Sequence, residues 1–593
     1  MTIAADCASI AEVLWQRARH TPDRRAYLFL DELGSEQEER SYASLARRAH
    51  AIAGALLAVA QPGDRAALLF NPGLPFLDSF FGCLYAGIIA VPMMPPKRNR
   101  ERHATFAILH DCAPRLILTT RALAGPLRER LMDVGLAQIP ACTAVEEIAT
   151  DADGATSDPL HRSGSDDIAF LQYTSGSTSL PKGVMVSNGN LRANARMIAA
   201  AMQQDETSNF VGWAPLYHDQ GLIGNVLQPL HLGAPAALMA PNTFLQRPHL
   251  WIEAVGKYRA HTSGGPDFAF GLIADRFDPG VYRTLDLSCW KVAFNGAEPI
   301  RPAILDRFAR SLAPLGFRRE ALYPCYGLAE ATLFTTGASV GRGPVTQIFD
   351  RASLEQGSLQ TAGKGARLAS SGRAAPGVTL AIVDPATGAH LPDGKVGEIW
   401  VAAASVASGY WRRPEATSAT FEAFARDGTG PYLRTGDLGA VRDGELYVCG
   451  RLKDLIIVRG RNLYPQDLEA TARGAHPAVS QGGAAAVAIT IGDAERILLA
   501  VEINRTARHA NDPAEISAVI RRAIRDEYDV MVDRFVLLAP GGLPKTTSGK
   551  VRRQALAQAY KTGELALWRE DGRYPAIGPG REAQTSEHFT RAR

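Results

Sequence analysis

The sequence predicts an α/β fold: a large multi-layer N-terminal domain of α/β subdomains, followed by a small mobile α+β C-terminal domain. Three observations predict it. At 593 residues the chain exceeds what one hydrophobic core usually supports. Residues 10–450 alternate helical stretches with short apolar or β-branched runs such as 66–70, 116–119 and 168–173, the signature of α/β layers. After Gly450 the pattern shortens: strand 455–458, helix 465–473, strands 484–489 and 497–503, and a helix through Tyr528 opened by the Asp512 cap and Pro513. Strand 535–538 and helix 551–560 follow. The predicted organisation is therefore an N-terminal domain over 1–450, a mobile domain over 451–568 and a polar, Gly/Pro-punctuated, disordered tail over 569–593.

Composition narrows the function. With 46% hydrophobic and 21% charged residues the chain reads as globular, and a net charge of +3 gives no global electrostatic case for nucleic acid. The seven cysteines are scattered without a CxxC pair, so neither a disulfide framework nor a zinc site is indicated and a reducing cytoplasm fits best. The N-terminus does not read as a secretory signal, since Asp6 is present and no basic cluster precedes an apolar run. Residues 79–96 carry no charge over a membrane-helix length. Gly82, Gly87, Pro92, Pro95 and Pro96 argue instead for a buried helix ending near Ala86 and a short strand at 88–91. The Gly/Ala/Arg-mixed stretch 342–368, with a helical candidate at 350–356, reads as an insertion.

Two Gly/Ser/Thr-rich loops, each with a lysine, carry the chemistry. YTSGSTSLPKG (173–183) lies between the strands 168–173 and 184–186; its amides and hydroxyls suit a polyphosphate, and Lys182 adds positive charge. It is not a Walker loop, which runs from strand to helix and needs Gly-Lys-Ser/Thr. LPKTTSGK (543–550) presents Lys550 beyond the domain boundary. A cradle for a triphosphate and a deliverable lysine point to chemistry at phosphorus by a two-part enzyme; a Ser/Gly surface linker is the plain alternative.

Together with YGLAE (326–330), YLRTGDL (432–438) and GRLKDLI (450–456), the two loops occur in one order that resembles the adenylate-forming superfamily of acyl-CoA synthetases, luciferases and peptide-synthetase adenylation domains. The resemblance covers about residues 10–560. LYHDQGLIG (216–224), SGGPDFAF (263–270), NGAEPIR (295–301) and PCYGLAEAT (324–332) look most like fatty acyl-AMP ligases, which activate fatty acids as adenylates and pass them to an acyl carrier protein.

The resemblance implies specific roles. Thr174, Ser175, Gly176, Ser177, Thr178 and Lys182 would hold the ATP phosphates, and Glu330 a magnesium ion on them. Tyr326 would stack on adenine in a pocket lined by Asn295, Gly296 and Ala297, Gly327 would also lie in the ATP site, and Asp437 with Arg451 would fix the ribose. Lys550 would bridge the attacking carboxylate and the α-phosphate, His218 would gate the acyl site, and Lys453 would be the hinge about which the small domain turns. Such roles suit a reaction in which one anion attacks another, because charge neutralisation and alignment then carry most of the catalysis.

Small residues at Ser263, Gly264, Gly265 and Ala269 leave room for the alkyl tunnel of a medium- or long-chain fatty acid. Asp219 keeps an amino-acid substrate in view. By resemblance, the insertion would restrain domain rotation and disfavour coenzyme A; an ordinary surface loop is the other reading. Ser179 departs from the glycine often found there. Arg521, Arg522, Arg525, Arg552 and Arg553 would offer a basic face to an acidic carrier protein or to the carrier domain of a polyketide or peptide synthase. These arginines are not interleaved with aromatic residues, which disfavours nucleic acid. The competing functions are an acyl-CoA synthetase and a non-catalytic nucleotide-binding regulator.

Overall fold

The computed structural model describes residues 4, 7–96, 102–132, 140–149, 158–174, 181–458, 461–491, 494–504, 512–545 and 550–568. The predicted tail therefore lies outside the described residues.

Two large sheets form the body. A six-stranded sheet runs in the order Ala141–Ala144, Leu116–Thr119, Arg65–Leu69, Ile89–Met93, Ile168–Thr174 and Lys182–Ser187, parallel except for its last, antiparallel strand. A nine-stranded sheet has a parallel centre, from Leu322–Tyr326 through Val292–Asn295, Thr262–Gly265, Phe210–Gly212 and Ala236–Met239 to Arg25–Leu30. Parallel strands need cover on both faces, and the side-chain alternation supplies it. Leu68 points into the central core with Phe170, Tyr27 and Leu238, whereas Ala67 and Leu69 join Val91, Ile117 and Leu171 on the far side. A third core, with Trp251, Phe270, Trp290 and Phe308, backs the nine-stranded sheet.

The uncharged stretch near residue 80 is a buried helix, Leu74–Ala86, stopped by Gly87 at φ +66° and followed by the strand Ile89–Met93. At Gly82 a Cβ would lie 2.4 Å from Ile52, so glycine permits this helix to cross the helix Tyr42–Leu57 closely. Among the described residues no helix is long and apolar enough to cross a membrane.

A four-stranded antiparallel sheet ends in the hairpin Leu433–Arg442 and Glu445–Arg451. Beyond a one-turn 3₁₀ segment, Leu452–Asp454, comes the smaller C-terminal domain. Its sheet of Val479–Ile491, Ala494–Ile503 and Arg534–Leu538 packs with the helices Pro465–Ala475, Pro513–Tyr528 and Arg553–Thr562. Asp512 caps the middle helix by accepting from the Ala514 amide, as its position before Pro513 predicts.

Residues 342–368 are more ordered than a Gly/Ala/Arg-rich stretch suggests. Their helix, Arg351–Glu355, is capped by Asp350, and Thr346–Phe349 pairs antiparallel with Ala366–Ala369. Phe349, Leu354 and Leu359 are buried against Leu438, Tyr447 and, from the small domain, Tyr464.

Candidate active site

The site assembles where parallel strands end at their carboxyl edge, the usual place for a ligand in open α/β sheets. Thr174, Gly265, Asn295 and Tyr326 each terminate such a strand.

On the phosphate side, Thr174 pairs across the hairpin with Lys182, which starts the returning strand. Ser175, Gly176, Ser177, Thr178 and Ser179 lie outside the described residues. The stem is clamped from below: the Tyr173 hydroxyl donates to Asp111 Oδ2 at 2.7 Å, and Arg413 donates to Asp111 Oδ1 at 2.7 Å. The Lys182 ammonium sits over the Tyr410 ring, 4.6 Å from its centroid, and the Tyr410 hydroxyl donates to Glu330 Oε1 at 2.9 Å. Burial pushes the Glu330 carboxyl above its ordinary range, with the Tyr410 hydrogen bond opposing it.

On the nucleoside side, Asp437 and Arg451 are register partners on adjacent strands, their side chains 3.3 Å apart. Asp437 chiefly holds the Arg451 guanidinium charged. The Tyr326 hydroxyl donates to Asp437 Oδ2 at 2.7 Å, so this tyrosine orients the carboxylate whatever its ring stacks on. Asn295 donates to Asp267 Oδ1 at 3.2 Å, and Asp267 also grips Arg301 at 2.6 Å. The buried Oδ1 of Asn295 has no partner among the described residues, an acceptor at the base of the predicted adenine pocket. Gly296 beside it leaves only 3.0 Å between a would-be Cβ and Cys325, and Ala297 takes φ +65°. At Gly327 a Cβ would meet the Leu333 carbonyl at 1.7 Å.

Lys550 is carried by the small domain. Its charged neighbours are Arg451, Asp219, Glu298 and Asp437, and burial followed by Arg451 lowers its pKa. Burial would raise Asp219, but His218, the Gln220 amide and Lys550 together leave it lowered. His218 places Nδ1 3.7 Å from Asp219 Oδ1. Asp219 in turn accepts from Gln220 at the head of the π-helix Gln220–Leu227, the irregular helix type that recurs at functional sites. Lys453 is exposed in the 3₁₀ turn joining the domains, and the neighbouring Asp454 is bound by Arg553 at 3.0 Å.

The acyl-side residues sit in the wall of the third core. Ser263 donates to the Val211 carbonyl at 2.7 Å and accepts from Trp251 Nε1 at 2.8 Å, and Ala269 is fully buried. A Cβ on Gly264 would lie 2.1 Å from the Phe294 carbonyl, and one on Gly265 2.4 Å from the Trp213 ring. Glycine at 264 and 265 thus permits the close approach of Phe294 and Trp213. The predicted basic face is reduced. Arg553 bonds Glu469 and Asp454, Arg521 bonds the Val532 carbonyl beneath Phe535, and Arg525 pairs with Asp526. Arg522 and Arg552 remain exposed.

Sequence reasoning overlooked Tyr410, Asp111, Arg413 and Trp213, and quoted Glu298 only within a motif. Tyr410 lies in Gly409–Tyr410–Trp411, whose only local signal is a glycine held at φ +140° against Thr417.

The comparisons with known proteins define the class: an adenylate-forming enzyme that uses ATP. Residues 14–411 match the AMP-binding enzyme family, and residues 453–570 the Disco-interacting protein 2-like AMP domain. The chain is 38% identical to the medium-chain fatty acid–acyl-carrier-protein ligase JamA of Moorena producens, covering 95% of this chain and 96% of the relative. It is 35% identical to the long-chain fatty acid–AMP ligase FadD32 of Mycolicibacterium smegmatis, covering 96% and 97%. The crystal structure of a fatty acyl-adenylate ligase from Legionella pneumophila with acyl adenylate and pyrophosphate superposes with a TM-score of 0.73 at 37% identity, covering 94% of this chain and 96% of that one. The chain belongs to the AMP-binding enzyme family.

Proposed function

We propose that this enzyme activates a medium- or long-chain fatty acid as acyl-AMP in the cytoplasm. It then passes the acyl group to the phosphopantetheine thiol of an acyl carrier protein, or of a carrier domain in a polyketide or peptide synthase. The observation that carries the reading is Lys550, held by the small domain among Asp219, Glu298 and Asp437 beside the Tyr326–Asp437–Arg451 set. The names of the relatives supply the acyl and carrier chemistry.

In the first half-reaction a carboxylate oxygen of the fatty acid attacks the α-phosphorus, and the bond to the bridging oxygen breaks to release pyrophosphate. Lys550 spans the two anions as they meet, and Lys182 holds the departing phosphates. In the second, the thiol sulfur attacks the acyl carbon and AMP leaves, after the small domain has turned about Lys453 and withdrawn Lys550. Asn295, Gly296, Ala297 and Gly327 shape the base pocket around Tyr326, while Asp437 and Arg451 fix the ribose. Ser263, Gly264, Gly265 and Ala269 form the proposed acyl wall, gated by His218.

Magnesium fits Glu330 on donor chemistry. Tyr410 engages one of its two carboxylate oxygens, and no group of three or more His, Cys, Asp or Glu side chains among the described residues is arranged as a metal cage. An ion carried mainly by phosphate oxygens and water needs only such a single carboxylate. When bound, it would neutralise charge on the triphosphate.

The acceptor assay tests the reading. With fatty acid, ATP and magnesium, acylation of a holo carrier protein is expected to exceed acyl-CoA formation; abundant acyl-CoA would make the enzyme a coenzyme A synthetase. Absence of fatty-acid-dependent pyrophosphate release would point to a nucleotide-binding regulator.

A further inference from the structure

Tyr410 belongs to none of the motifs that carry the family resemblance, yet its side chain touches both groups assigned above to the triphosphate. Its ring lies under the Lys182 ammonium at 4.6 Å and its hydroxyl donates to Glu330 Oε1 at 2.9 Å. The residue is 6% exposed and fixed through its backbone. It bridges to Val184, two residues from Lys182, while flanking hydrogen bonds join Trp411 N–H to the Gly183 carbonyl and Met185 N–H to the Gly409 carbonyl. Its own amide donates to Thr417 Oγ1 at 3.0 Å, and Phe421 packs edge-on against the ring at 5.1 Å.

From this geometry we infer that Tyr410 is a positioning residue for the triphosphate and its metal. It holds the Lys182 ammonium and the Glu330 carboxylate on separate parts of one rigid side chain, so neither is consumed by pairing with the other. A lysine and a glutamate facing one phosphate site would otherwise neutralise each other before nucleotide arrives. A ring face attracts the cation through its quadrupole and supplies no counter-charge. A phenol hydrogen bond orients the carboxylate and leaves its charge in place. The inference rests on the roles proposed above for Lys182 and Glu330, and the test separates the two.

ATP is titrated calorimetrically into the full chain, without divalent metal and across a magnesium series, for the parent and for Tyr410→Phe, Tyr410→Leu and Glu330→Gln. The unliganded thermal midpoint of each is recorded. Tyr410→Phe keeps the ring and loses the hydroxyl. The magnesium needed for half-maximal ATP binding is expected to rise about tenfold, the lower end for a hydrogen bond to a charged group, with metal-free affinity unchanged. Tyr410→Leu also removes the ring face and is expected to weaken metal-free binding about threefold. If Glu330→Gln raises the magnesium requirement and Tyr410→Phe does not, the positioning role is wrong and the site reading stands. If both Tyr410 variants lose metal-free and metal-dependent binding equally while the midpoint falls, Tyr410 is structural only. If Glu330→Gln leaves the magnesium requirement unchanged, the metal role of Glu330 fails and the inference with it.

Discussion

The contact between residues 342–368 and the small domain can be broken with two substitutions, Arg351→Ala and Glu355→Ala. Glu355 is 8% exposed and receives a bidentate grip from Arg461, at 2.8 and 3.0 Å. Arg461 also donates to the Tyr528 and Asp529 carbonyls, so it is not stranded when Glu355 is lost. The cost is therefore below the 3–5 kcal/mol of a fully buried pair, about 1.5 kcal/mol. Arg351 pairs with Glu527 at 2.8 Å and lies over the Tyr528 ring at 4.6 Å. Both ends are partly exposed, so the pair and the ring contact contribute about 0.5 kcal/mol each. Because the two residues share Tyr528 their effects are coupled. A total of about 2 kcal/mol, roughly 30-fold in the docked population, is expected. The assay measures acyl-CoA formed relative to acylated carrier protein in one competition. If this contact restrains rotation about Lys453, the ratio rises at least tenfold in the double variant. An unchanged ratio with the fold intact would refute the restraint. Point variants are the better perturbation, because deleting 342–368 would open the core that buries Phe349, Leu354 and Leu359.

Two further outcomes follow from the geometry. Gly327→Ala forces a methyl group into the Leu333 carbonyl and shifts the segment carrying Tyr326 and Glu330; ATP affinity by calorimetry is expected to fall roughly 5- to 150-fold, the equivalent of an overpacking cost of about 1–3 kcal/mol. Asp467, beside Arg351 at the same interface, has its carboxyl pushed up to about 7, first by burial and with Glu469 and Glu527 adding to it. A raised carboxyl contributes stability that is full below its unfolded value near 4 and is lost as the pH climbs through 7. Asp467→Asn is accordingly expected to stabilise the chain at pH 8, by roughly 1–2 kcal/mol after allowing for water access, and to change little at about pH 4. Equal shifts in the thermal midpoint at both pH values would contradict the assignment.

Strands with strong local signals were legible in the sequence. Leu116–Thr119 and the helix ending at Ala86 are fixed by apolar runs bounded by glycine or proline, and Asp512–Pro513 marks a helix start by its own chemistry. The hairpin at 346–349 and 366–369 was not legible, since its residues show no strong alternation and are ordered by burying Phe349 against Tyr447. The site divides the same way. Motif residues such as Asp437 and Arg451 meet because they are register partners across a hairpin. Tyr410 reaches Glu330 across 80 positions and Arg413 reaches Asp111 across 302, contacts that only the tertiary fold creates. The neighbours of Gly264 and Gly265 were not legible for a related reason: only the fold brings Phe294 and Trp213 against them. Arginines that look solvated in a helical pattern were likewise drawn inward by carboxylates on other elements, as Arg553 is by Glu469.

The central claim is that a lysine delivered by the small domain drives adenylate formation and is not needed for acyl transfer. The direct measurement is Lys550→Ala assayed in the two half-reactions separately, fatty-acid-dependent pyrophosphate release and acylation of a holo carrier protein from supplied acyl-AMP. Loss of one well-placed charge at the α-phosphate predicts a fall of roughly 100- to 1000-fold in the first, with the second reduced by no more than about twofold, within the scatter expected of a surface change. An equal loss in both halves, or an unimpaired first half, would contradict the account.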